Sequence, residues 1–293
     1  MSATDCGSKL GIPQISIVAH IEVEDRTAVQ PRARGAVAIS VKATPQGTGL
    51  RNLRQSGSSK AIFPRSAARG LEAVLINTAG GMTGGDTFGT DVDADCDTEL
   101  TLSTQAAERA YRAQPLEVAR LSNRLKLRGT ARVNWLPQET ILFENSAFER
   151  TLHVDMDDAS TLLMVEPLVF GRAAMGEVLR QCHFKDRVEI IQNDVPLYLD
   201  AVRLNGDAAA HLARAGVAGG AGAMANVLYV APDAPSLLAA LRPLLSDSFG
   251  ASLIRDSVLC VRALAADSYA LRQSLIPILR CLNTGYLPRS WML

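Results

Sequence analysis

Between residues 36 and 204, apolar and polar residues alternate in short stretches: Val37, Ile39 and Val41; Leu100 and Leu102 against Glu99, Thr101 and Ser103; Leu125 and Leu127; Val133 and Trp135; Leu152, Val154 and Met156; Val188 and Ile190. A period of two puts successive side chains on opposite faces. Each stretch therefore predicts a half-buried strand, and the Gly, Asp, Asn and Pro residues between them predict turns. The recurrence of these stretches predicts a mainly β fold of antiparallel strands. Towards the end of the chain the period lengthens. Leu237, Leu238, Leu241, Leu244 and Leu245 follow Ser236, an expected N-cap, at helical spacing, with Pro243 expected to bend or end the helix. A second helix is predicted to start at Asp267 or Ser268, run through Leu271, Leu275, Ile278, Leu279 and Leu282 with Pro277 inside it, and close on Asn283 and Gly285. Residues 253–263 read as more strand, turning at Asp256 and Ser257.

Residues 1–34 show no period and end in charged, proline-containing sequence, which predicts a loosely ordered arm ahead of a single β-rich domain over 35–293. The glycine-rich stretch 216–222 reads as a long flexible loop within that domain. At 293 residues and 47% hydrophobic, the chain can bury a large core, which excludes disorder throughout. Thirty Lys+Arg balance thirty Asp+Glu, so the basic excess that draws proteins to nucleic acid is missing. The five cysteines are scattered, with no CxxC and no zinc spacing, as in a reducing compartment. The apolar stretch around Ile15 to Ala19 is too short for a signal peptide, and the longest uncharged run, 215–232, is broken by glycines. A cytoplasmic protein is expected.

Chemistry is sparse. The loop Asn77-Thr78-Ala79-Gly80-Gly81-Met82-Thr83-Gly84-Gly85-Asp86 has two Gly-Gly pairs. It lacks the Gly-Lys-Ser/Thr of a phosphate loop and ends on an acid that would repel phosphate, so it reads as a turn that positions Asp86. The four histidines are unclustered, and there is no GxSxG. The carboxylates Glu144, Glu166, Glu177 and Asp200 sit in or beside apolar stretches. Glu166 stands out, lying between Leu162-Leu163-Met164-Val165 and Pro167-Leu168-Val169-Phe170. A carboxylate in such a run is either desolvated, paired or lining a wet cavity, or it faces solvent or pairs with Arg172.

Several segments, taken in order, resemble one family. They are NTAGGMTGGD (77–86), LTLSTQAAERAYR (100–112), WLPQETILFENSAFERTLHVD (135–155), EPLVFGRAAMGE (166–177), PLYLDAVRLNG (196–206), residues 236–272 and LPRSW (287–291). The chain is similar to the urease accessory proteins called UreD, or UreH. The resemblance implies an elongated helicoid-like stack of β-strands with two helices near the C-terminus. It also implies a non-enzymatic maturation chaperone that binds apo-urease and a helical UreF-like protein, which recruits a UreG-like GTPase. Nickel in transit, with no permanent cofactor, would pass through a water-filled passage lined by carboxylates. By motif position, Asp86, Glu166 and Asp200 are the implied transient nickel ligands. A few oxygen ligands suit transit, because they exchange the metal quickly. Arg109, Arg112 and Arg172 lie in matching motifs and either meet partners or pair with local acids. Two other readings stay open: a metal-dependent hydrolase using Asp86 and Glu166, and a structural adaptor without metal passage.

Overall fold

A computed structural model of the chain describes residues 30–65 and 70–292. The compact unit described below spans Arg32–Leu293, and the expected arm, apart from its last few residues, lies outside the described residues. The chain alternates between two sheets. β1 (Arg34–Thr44) and β2 (Gly47–Gly57) form a hairpin in the first sheet, and β3 (Ser59–Ile62) and β4 (Leu71–Asn77) begin the second. β5 (Thr87–Ala94) returns to the first sheet, while β6 (Glu99–Thr104) and the short β7 (Glu108–Ala110) belong to the second. The pattern repeats with β8 (Ala119–Leu127) in the first sheet, β9 (Arg132–Leu136) and β10 (Thr140–Leu142) in the second, β11 (Ser146–Met156) in the first and β12 (Thr161–Phe170) in the second. The hairpin β13 (Cys182–Gln192) and β14 (Val195–Gly206) closes the first sheet. After α1 (Ala208–Leu212), the strands β15 (Ala223–Val230), β16 (Phe249–Arg255) and β17 (Val258–Ala265) complete the second. Two longer helices, α2 (Ala234–Leu241) and α3 (Ser268–Leu282), lie in the C-terminal region. The mainly β class and the stacked, coil-like arrangement agree with expectation.

Strand direction does not. β1, β5, β8, β11 and β13 run parallel, as do β4, β6, β9 and β12, and antiparallel pairing is confined to the flanks of each sheet. Alternation reports that one face is buried and carries no information on direction. Because consecutive strands fall in different sheets, the next strand to enter each sheet comes in parallel.

The inward positions of the two sheets meet in one core, with Val37, Ile39, Leu125, Leu152 and Val154 from the first and Leu100, Leu102, Val133 and Leu162 from the second. The other face of the second sheet carries α3 through Leu271, Leu275, Ile278 and Leu279. The second sheet is thus a middle layer, which is why β12 is buried from Leu162 to Val169 on both faces and is apolar there except for Glu166.

α3 starts where Asp267 accepts a hydrogen bond from the Ala270 amide at 2.8 Å, and it continues past Pro277 on an exposed face, where water can serve the carbonyl left free. α2 begins earlier than expected. Its N-cap is Asp233 with Pro235 in the first turn, and Ser236 lies inside the helix, which passes into a 3₁₀ turn at Pro243. The stretch 216–222 is closed by hydrogen bonds, among them Gly220 N to Leu212 O (3.0 Å) and Gly222 N to Ala265 O (3.0 Å). Among the described residues no helix is long and apolar enough to cross a membrane.

The outer face of the first sheet is charged in rows. Asp91, Arg124, His153 and Glu189 are in register across four strands, and Arg120, Glu149 and Lys185 across three.

Candidate functional site: a polar line between the sheets

A cavity of about 320 Å³ opens between the two sheets beside the loop 77–86. Val37, Phe88 and Leu75 give it apolar walls, while Asn77, Glu108, Asn123, Gln138, Thr140, Arg150 and Glu166 supply polar ones. A second void of about 10 Å³, room for a single water, is bounded by Arg150, Glu166, Asp186, Asp200 and Asn226. Arg150 and Glu166 belong to both walls.

Strand register assembles this partition. Arg150 takes an inward position of β11 in step with Phe148 and Leu152, and it lies directly opposite Asp186 of β13. Glu166 in β12 lies opposite Asn226 of β15. The Arg150 guanidinium donates from Nε to Asp186 Oδ1 (3.1 Å) and from Nη2 to Oδ2 (2.5 Å), a two-pronged grip, while Nη1 donates to Thr140 Oγ1 (3.0 Å). Nη1 also lies 2.5 Å from Glu166 Oε2, but this close contact is not aligned as a hydrogen bond, and among the described residues Oε2 has no other donor. Glu166 Oε1 accepts from the Trp135 indole N–H at 2.8 Å. Beyond the void, Asn226 Nδ2 donates to Asp200 Oδ2 and to the Tyr198 hydroxyl, both at 3.2 Å, and Asp200 Oδ1 pairs with Arg262 at 2.7 Å. Arg262 is 45% exposed along its side chain, so the line ends at the surface.

Electrostatics follow from burial. Desolvation pushes the Glu166 carboxyl up to about 7, opposed by Arg150 and Trp135 and assisted by Asp186. Burial alone would lower Arg150, but Asp186 and Glu166 outweigh it and hold the guanidinium above its usual range. Glu108 is raised, first by burial, against hydrogen bonds from Asn77 and the Arg109 amide and the attraction of the Arg109 charge, with a further push from Asp86. Tyr198 is raised to about 12 by burial.

The structure brings Glu166 and Asp200 to one void and leaves Asp86 elsewhere. Asp86 is buried, lines neither cavity, and accepts from the backbone amides of Ala33 (2.7 Å) and Thr83 (2.8 Å). Arg172 pairs with Glu177 at 2.8 Å, not with Glu166, and lies over the Phe143 ring. Glu144 accepts from the amides of Arg180 and Gln181. Among the described residues no group of three or more His, Cys, Asp or Glu is placed to hold a metal ion. Sequence reasoning did not single out Arg150, Asp186, Glu108 or Trp135. For Arg150 a signal exists, since it takes a buried position in the alternation of Phe148, Leu152 and Val154.

A model of the UreD urease accessory protein family matches residues 33–292. The chain belongs to the UreD family. It is 51% identical over 253 residues to the urease accessory protein UreD of Ruegeria pomeroyi, covering 86% of this chain and 98% of that one. It is 47% identical to the UreD of Roseobacter denitrificans (90% and 96% covered) and 40% identical to that of Rhizobium leguminosarum bv. viciae (89% and 96%). The UreD-like stretches of the chain take distinct places: 77–86 borders the large cavity, 166–177 begins with Glu166, and the tail 287–291 enters the core beneath α3.

Proposed function

We propose that this UreD-family protein is a urease maturation chaperone that conducts nickel through its interior in the cytoplasm. It binds apo-urease and a helical UreF-like protein, through which a UreG-like GTPase releases the metal. The observation that carries this reading is the run of oxygen-bearing side chains from the 320 Å³ cavity past Glu166 and Asp186 to Asp200 and the surface. Asp186 and Asp200 balance the two guanidinium groups of Arg150 and Arg262, so the Glu166 carboxyl, when ionised, adds the negative charge that favours a cation. Oxygen ligands in such small number hold a divalent ion weakly and release it quickly. Glu166 and Asp200 act as passing ligands. Asp86, with both oxygens engaged by amides, holds the loop that borders the cavity.

The test is co-expression of Glu166→Gln and Asp200→Asn variants with urease and its other accessory proteins, reading nickel per urease active site alongside recovery of the complex. Intact complexes with nickel loading reduced by both substitutions are expected. Wild-type loading by both would leave an adaptor without a passage, and failure to bind apo-urease would sink the reading altogether.

A further inference from the structure

We infer that Arg150 is a movable gate whose guanidinium exchanges between Glu166 and Glu108, opening and closing the way from the large cavity to the small void. The inference rests on the nickel-passage reading and adds its regulation. Arg150 and Glu166 together form the partition, so an ion crossing it passes the guanidinium. An arginine cannot shed its charge in a protein, so a cation passes only if that charge moves aside. Its contacts are unequal. Asp186 holds Nε and Nη2 in a directed fork, whereas the Nη1 contact to Glu166 is close but misdirected.

A second seat for Nη1 is at hand. Nη1 already touches Thr140 Oγ1, and Thr140 is paired in register with Glu108 across the parallel β7 and β10 strands. Glu108 lines the same cavity. Its carboxylate accepts from neutral donors, the Asn77 amide at 3.2 Å and the Arg109 backbone N–H at 3.1 Å, and among the described residues it forms no ion pair within 4.0 Å. A cavity of about 320 Å³ leaves room for the swing. When Nη1 turns to Glu108, Glu166 is free to take a divalent cation in its place. When the cation leaves, the guanidinium returns. The guanidinium is planar, so its fork to Asp186 opens as Nη1 turns to Glu108 and re-forms on its return.

The decisive variants are Glu108→Gln and Glu108→Asp, co-expressed with urease and the other accessory proteins, with the rate of nickel appearance in urease and the thermal midpoint both measured. Glu108→Gln should slow transfer roughly tenfold, a coupling of ordinary size for neighbours in one charge network. Its thermal midpoint should stay level or rise, since a desolvated charge is removed, and Glu108→Asp should restore most of the rate. In an Arg150→Gln background, Glu108→Gln should add no further loss. Wild-type transfer by Glu108→Gln while Glu166→Gln is still impaired would overturn the gate and leave the passage standing. Wild-type transfer by both would overturn the passage itself. Additive effects of the Glu108 and Arg150 substitutions would also overturn the gate. If Arg150→Gln fails to assemble, the Gln and Asp variants of Glu108 still decide.

Discussion

Trp135 and Glu166 meet at 2.8 Å, indole N–H to carboxylate oxygen, with both side chains inside the protein. Among the described residues the indole is the one directed donor the carboxylate has, because the nearby Arg150 contact to the other oxygen is misaligned. Trp135→Phe keeps most of the ring packing and removes that donor. A buried acceptor stripped of its partner costs about 1–3 kcal/mol. The urea midpoint should fall by that amount divided by an unchanged slope, and a midpoint equal to wild type would show that water or a rotated Arg150 replaces the indole.

Glu166 also sets a pH dependence. Its folded-state pKa near 7 lies above the ordinary 4.5, so the native protein holds this proton more tightly than the unfolded chain does. Stability relative to Glu166→Gln should therefore be highest below pH 4.5 and decline as pH rises from there to about 7, by at most a few kcal/mol. Denaturant unfolding of both proteins across pH 4 to 8 reads the difference directly. A difference that stays constant across the range would refute the shift.

The two glycines beside the large cavity should behave differently. Gly80 has φ +79 with nothing among the described residues within 4 Å of an added Cβ, so Gly80→Ala costs only backbone strain, about 1–2 kcal/mol. At Gly81, with φ +153, a Cβ would lie 2.3 Å from the Tyr111 ring and 2.9 Å from the Arg109 carbonyl oxygen. Tyr111 is itself held, by its hydroxyl on the Gly80 carbonyl and by its ring edge-on to Phe143. Gly81→Ala should cost more than Gly80→Ala in thermal unfolding; equal losses would mean that the Tyr111 ring yields freely.

The C-terminal tail is a clamp. Trp291 is fully buried, donates to the Leu136 carbonyl at 2.9 Å, and lies under the Arg272 guanidinium, which reaches Glu139 and the Ser290 carbonyl. Trp291→Ala should cost about 3–5 kcal/mol. Combined with Arg272→Ala, the loss should fall short of the sum of the two single losses, since the residues share one cluster. A double-mutant cycle by calorimetry checks this, and strict additivity would refute the shared clamp.

The strands were legible because burial imposes a period of two, as in β11, where Phe148, Leu152 and Val154 all point inward. Their direction was not legible, because the same alternation serves parallel and antiparallel neighbours and the pairing β1 with β5 or β8 with β11 is long-range. Helix α1 escaped notice because five residues, with Ala208 and Leu212 buried, are too few to show a period. Glu166 announced itself by its apolar flanks, while Arg150 and Asp186 sit in strands already rich in charge. Only the register of β11 against β13 turns those two into neighbours. Asp86 shows the converse: its motif is conspicuous, yet its oxygens are committed to the backbone.

The charged rows on the outer face of the first sheet have a kinetic consequence. Asp91, Arg124 and Glu189 in one row and Arg120, Glu149 and Lys185 in the other set three acids against three bases, so charge across these two rows is balanced locally, not between distant poles. Alternating charges spaced more closely than the Debye length, about 8 Å at physiological ionic strength, project little field beyond the first layers of water. A protein approaching this face is not drawn in from afar. Capture there depends on collision and shape, and its rate should change little with salt.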